Sequence, residues 1–180
     1  TIIGEYRFDD CGSGGWQLDS SGNNNSAIGT AQIQTDNYKN YACTAVSNVN
    51  WNMEVPHQAN YALASGAVSI LFYDHKGVWA SARLLEKGWT ADQKLSLEMK
   101  PSTDWQHGTV SVNLNGNVID TGETYYTSLG NGSLNDTQWV HAVLSFGPAG
   151  MKLYINGVLK GSNAYTGGIT GVLGNFRLPG

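Results

Sequence analysis

The chain has 180 residues, a length that favours one domain able to bury a sizeable core without metal or disulfide help. Charged residues make up only 13% of it while glycine fills 23 positions, more than helices tolerate, so an all-β chain with many turns is expected. The net charge of −4, without a cluster of Lys and Arg, argues against a nucleic-acid binder, and no apolar run approaches the roughly 18–20 residues of a membrane helix. No signal-peptide pattern opens the sequence at Thr1, as expected of a mature product or an excised domain.

In chain order, Ile2 to Phe8 reads as a first strand. Residues 12–32 form a polar Gly/Ser/Asn loop around Trp16 and Leu18, with Ala27-Ile28 as a short strand. Asp36 to Asn40 is turn-like, and Trp51 to Val55 is a short strand. Ala67 to Tyr73 is the strongest apolar run. Val78 to Glu86 and Lys94 to Met99 follow as strands; in the latter Leu95, Leu97 and Met99 face in, while Lys94, Ser96 and Glu98 face water. Thr109 to Leu114 and Val118 to Thr121 flank a hairpin signal at Asn115-Gly116-Asn117. Residues 122–137 are a long loop, and residues 57–64 and 85–93 are the places where a short helix fits.

The stretch Trp139 to Gly161 is the most telling. Val140, Ala142, Leu144 and Phe146 alternate with Trp139, His141, Val143 and Ser145. Gly147-Pro148-Ala149-Gly150 breaks the strand. Met151, Leu153 and Ile155 then alternate with Lys152 and Tyr154, and Asn156-Gly157 supplies the two φ > 0 residues of a type I′ turn before the return strand at Val158-Leu159. A last strand starts at Asn175 to Leu178. Short strands at this spacing predict a two-sheet antiparallel β-sandwich.

The Trp-x-His strand, the glycine turn and the Leu153-Tyr154-Ile155-Asn156-Gly157-Val158 hairpin together resemble the laminin-G-like group of the concanavalin-A-like jelly rolls. Tyr6 to Cys11, the loop Asp19-Ser20-Ser21-Gly22-Asn23-Asn24-Asn25, and Val55-Pro56-His57 resemble that group's opening strand, its D-S-S-G-N loop and the strand that follows. The likeness runs over roughly residues 5–178 and implies a single jelly-roll domain over residues 1–180. Members also carry a closing strand reading roughly D-E-V-R-I-Y beside the first strand. The sequence stops at Pro179-Gly180 without one, so the first strand is expected to be less well covered than in relatives, or paired with another chain.

Catalysis is not expected. Glycosidases of this superfamily carry paired acids on one strand, and no E-x-D-x-x-E occurs here; the acids are scattered. Arg83-Leu84-Leu85-Glu86 is not the Arg-Glu-Arg of jelly-roll lyases, and His57, His75, His107 and His141 have no neighbouring triad or zinc motif. The Asp19 loop has two readings. Asp19, Gly22, Asn23 and Asn24, with Asp10 as a second charge, offer the hard oxygens that calcium needs, and the resemblance implies a structural Ca2+ at this loop in some relatives. Alternatively, it is an Asx-rich turn that caps itself. A Cys11–Cys43 disulfide would close a loop of about 30 residues, worth roughly 3–4 kcal/mol in the chain-entropy model, and would imply an oxidising compartment. The resemblance supports that pairing; two buried free thiols are the alternative.

Sugars lie flat on exposed aromatic rings while polar groups take their hydroxyls. Trp79, Trp89, Trp105, Tyr125 and Tyr126, with Asn131 and Asp136, are therefore the candidate binding platform, against the plainer reading that loop aromatics cover the sandwich ends. Three N-glycosylation sequons, at Asn24, Asn131 and Asn135, would matter only in a eukaryotic secretory host. The expected function is non-catalytic carbohydrate recognition or adhesion, extracellular or at the cell surface and within a larger protein. The alternatives are a structural or protein-interaction domain that assembles through an open edge and, third, a glycoside hydrolase or polysaccharide lyase.

Overall fold

A computed structural model describes residues 1–7, 19–29, 32–36, 41–46, 53–72, 81–90, 93–101, 107–122, 125–126 and 139–178. Fourteen strands lie among them: β1 Ile28–Gly29, β2 Gln32–Asp36, β3 Tyr41–Val46, β4 Met53–Val55, β5 Gly66–Phe72, β6 Ala82–Thr90, β7 Gln93–Pro101, β8 His107–Leu114, β9 Asn117–Asp120, β10 Tyr125–Tyr126, β11 Val140–Phe146, β12 Met151–Ile155, β13 Val158–Asn163 and β14 Phe176–Leu178. The helical structure among the described residues is one 3-10 turn, Ala59–Tyr61, inside one of the two segments read as a possible short helix; the other runs through β6.

The strands form an eight-stranded antiparallel sheet in the order β1-β4-β14-β6-β7-β8-β10, with β9 also paired to β8. A second, four-stranded sheet runs β13-β12-β11-β5, and β2-β3 pair as a separate hairpin. This is the two-sheet sandwich that the strand spacing predicts, of the jelly-roll type that the resemblance implies. Its core is made where the inward side chains of both sheets meet. Val140, Ala142, Leu144, Phe146, Met151, Leu153 and Ile155 come from the small sheet. Leu95, Leu97, Met99, Val110, Val112 and Leu114 come from the large one, all nearly or fully buried. A second cluster, Ala27, Met53, Val55 and Tyr61, continues the core beneath the N-terminal segment, and Phe176 touches both.

Local chemistry places the turns. Asn115-Gly116 has φ of 50° and 81°, and Asn156-Gly157 has the same pair of values, as type I′ hairpins require.

Two expectations change. Ile2 to Phe8 was expected to be a strand, but residues 1–7 belong to none, and they pair with no neighbouring strand among the described residues. The 19–25 loop holds them by side-chain bonds instead: Ser21 Oγ, Asn23 Nδ2 and Asn25 Nδ2 all donate to the Ile3 carbonyl, at 3.1, 3.2 and 2.8 Å. The strand predicted to end at Glu86 runs on to Thr90, because bulges after Arg83 and Lys87 re-phase it against β7. Asn175 to Leu178 supplies β14, which lies inside the large sheet and is paired to β4 on one side and β6 on the other. The open edge envisaged beside a first strand therefore has no strand to define it among the described residues.

Candidate functional site

The side chains of the large sheet that point away from the core make two polar rows. Antiparallel register sets Ile28 opposite Glu54, Glu54 opposite Arg177, Arg177 opposite Glu86, Glu86 opposite Ser96, Ser96 opposite Asn113, and Asn113 opposite Val118. One step along the strands, Arg83 stands opposite Glu98, Glu98 opposite Ser111, and Ser111 opposite Asp120. Lys100 and Thr109 follow, with Lys94 at the other end.

Charge alternates across these rows. The Arg177 guanidinium meets the Glu54 carboxylate at 2.5 Å. Arg83 bridges two acids from adjacent strands, at 2.6 Å to Glu86 and 3.7 Å to Glu98. Lys100 lies 3.2 Å from Asp120. The middle of the face is buried: Glu86, Ser96 and Ser111 keep only 6%, 2% and 5% of their surface exposed although they point away from the core. Ser96 was expected to face water. Instead its Oγ is buried and has no hydrogen-bond partner among the described residues. A buried hydroxyl left unpaired costs roughly 1–3 kcal/mol, so a group that reached it would recover that cost. Arg83 and Asp120 stay exposed and form the open side of the face.

The Asp19 loop is held by its own hydrogen bonds. Asp19 Oδ1 accepts from the backbone N–H groups of Glu5 and Ser21 at 3.0 and 2.9 Å, and Oδ2 accepts from Asn25 N–H at 3.0 Å. Burial pushes the carboxyl up, but the bonds from the Ser21 side chain and from the Glu5, Ser21 and Asn25 backbone outweigh it and hold the group at about 2. Gly22 takes φ of 85° and Asn24 takes φ of 55°, which makes the turn. Three backbone N–H groups thus engage the Asp19 carboxylate, and among the described residues no three His, Cys, Asp or Glu converge as metal ligands. Asp10 lies outside the described residues.

The aromatic platform is only partly placed. Trp79, Trp105, Asn131 and Asp136 lie outside the described residues, as does Cys11, the expected partner of Cys43 in β3. Trp89 falls near the end of β6 where Lys87 pairs with Leu95. Tyr125 and Tyr126 form β10 beside Gly108 and His107, at the opposite end of β8. About six residues of strand, or about 20 Å, separate the two places along the sheet. The backbone therefore does not bring Trp89 together with the tyrosine pair. The polar rows were missed because they are assembled from residues as far apart as Ile28 and Arg177. The local signal was the polar alternation Lys94-Ser96-Glu98 and Thr109-Ser111-Asn113, which shows a face but not its neighbours.

This chain belongs to the concanavalin A-like lectin/glucanases superfamily, whose family model matches residues 74–178. No curated protein sequence matches it. Among solved structures it is similar to domain 4 of AbnA, a GH43 extracellular arabinanase from Geobacillus stearothermophilus, solved in complex with arabinotriose. That match has 19% identity and a TM-score of 0.56, and covers 89% of this chain and 76% of the other. It is also similar to the enzymatically active domain of bacteriophage CBA120 tailspike protein 2, with 10% identity and a TM-score of 0.54, covering 84% of this chain but 25% of the other. At these identities the likeness is one of fold.

Proposed function

We propose that this chain is a non-catalytic carbohydrate-recognition module that works outside the cell and takes its ligand on the polar face of the eight-stranded sheet. The observation that carries the reading is the ion-paired face itself, with the buried, unpartnered Ser96 hydroxyl in its floor. Carboxylates and guanidinium groups fixed by each other are rigid hydrogen-bonding partners for sugar hydroxyls. The same pairing supports a binding role over a hydrolytic one. A glycosidase aims two carboxyl groups at the bond it cleaves, whereas Glu54, Glu86 and Glu98 are each turned to a guanidinium.

Affinity electrophoresis in polysaccharide-containing gels tests the reading. Replacing Arg83 by Ala removes the clamp on Glu86 and Glu98, and is expected to weaken retardation by about tenfold or more with the fold intact by circular dichroism. Binding lost in Tyr126→Ala and unchanged in Arg83→Ala would move the site to the aromatic segment. Parallel gels with calcium and with EDTA decide whether a metal takes part.

A further inference from the structure

We infer that the glycan taken on this face is uncharged. The inference rests on the proposed function and adds the ligand's chemical class. Among the described residues, four carboxylates (Glu54, Glu86, Glu98 and Asp120) share the face with four cations (Arg83, Arg177, Lys94 and Lys100). Three of those cations already touch a carboxylate: Arg177 at Glu54, Arg83 at both Glu86 and Glu98, and Lys100 at Asp120. Lys94 stands beyond the Glu86–Ser96 row, at the hairpin end of β7.

A uronate, sulfate or phosphate group placed on such a surface would have to compete with resident carboxylates for every guanidinium. It would also meet the exposed Asp120 carboxylate and Glu98 at close range. Recognition of an anionic polymer needs the opposite arrangement, an excess of cations aimed at the ligand. A sugar hydroxyl has no such conflict. It donates one hydrogen bond and accepts two, so one hydroxyl can donate to a carboxylate while accepting from the neighbouring guanidinium. The alternation of acceptor-only and donor-only groups along Glu54, Arg177, Glu86, Arg83 and Glu98 suits a run of vicinal hydroxyls. Ser96, whose Oγ is buried without a partner, offers a hydroxyl that works either way.

The test is a panel of polymers run on the whole chain from about 50 to about 500 mM salt. The uncharged probes are linear arabinan, mixed-linkage β-glucan and galactomannan; the anionic probes are alginate, polygalacturonate and heparin. The expected result is retention by at least one uncharged polymer, changing less than about twofold across the salt range, and none by the anionic ones. Glu98→Lys, which moves the balance by two charges, is expected to gain alginate retention and to lose at least about tenfold on the uncharged polymer. Retention by an anionic polymer, falling about tenfold or more as salt rises, would overturn the inference while leaving carbohydrate recognition standing. Retention by neither class would overturn both. The salt profile of the unmodified chain reads out the charge class even if Glu98→Lys fails to fold.

Discussion

Lys87 lies fully buried on the core-facing side of β6, where sequence periodicity would place an apolar side chain. Its Nζ donates to His57 Nδ1 at 2.9 Å and to the Gly174 carbonyl, and it sits 4.9 Å from the Phe176 ring centroid. These contacts tie the 174–176 segment and the 56–58 segment to the β6 bulge. Asn175 extends the tie: its Oδ1 accepts from His57 N–H at 2.9 Å, and its Nδ2 donates to Glu54 Oε2 at 3.1 Å, on the polar face. Burial lowers the ammonium to about 8, and burial together with the Lys87 charge lowers His57, which leaves Nδ1 free to accept. Between pH 8 and the usual lysine value of 10.5, the unfolded chain keeps this proton and the folded chain sheds it. Stability attributable to Lys87 should therefore rise with pH across that window, by up to about 3 kcal/mol. Denaturant unfolding of the parent and Lys87→Met at intervals from pH 7 to 10 checks this. The difference between them should shift in favour of the parent as pH rises, and a constant difference would contradict the buried-amine account. Nothing in the sequence marked this lysine, because burial of a charge depends on partners 30 and 87 residues away. Asp19 was more legible: D-S-S-G-N carries its own turn chemistry, and the loop closes on itself as such sequences do.

At the scale of elements, the strands found from sequence are those with local signals. β5, β7, β8, β11 and β12 alternate with a period of two, and both Asn-Gly turns fall where predicted. β2, β3 and β10 were not seen, since their segments lack clean alternation and owe their ladders to pairing. Residues 1–7 failed in the opposite way. They have strand propensity but no ladder partner among the described residues, and a strand exists only as part of a pair. The β11–β12–β13 meander shows how turn glycines differ in cost. Gly157 has φ of 81° with open space where a Cβ would go, whereas Gly150 has φ of 86° and a Cβ there would stand 2.5 Å from the Asn163 carbonyl oxygen. Gly157→Ala should cost about 1 kcal/mol through backbone strain alone. Gly150→Ala should cost roughly 2–4 kcal/mol, because backbone must also move. Chemical denaturation of both variants decides; equal losses would contradict the packing at β12–β13.

At the scale of the whole molecule, the sandwich separates two tasks. Its inner faces are an apolar core whose stripes could be read strand by strand, so the fold class was within reach of the sequence. The outer face of the large sheet is assembled by register across β1, β4, β14, β6, β7, β8 and β9, an order that interleaves the end of the chain with its middle. Loops rich in Trp and Tyr advertised themselves, while Arg83, Glu86, Glu98 and Arg177 looked like scattered charges. In the proposed function these charges form the floor of a glycan site. The most direct measurement is a backbone amide chemical-shift titration of the 15N-labelled chain with an uncharged oligosaccharide cut from the polymer that retains it. Perturbations are expected to concentrate at residues 83–86, 96–98, 109–113 and 177. Perturbations confined to residues 19–25 or 125–126, with the β6–β7–β8 amides unmoved, would contradict that site.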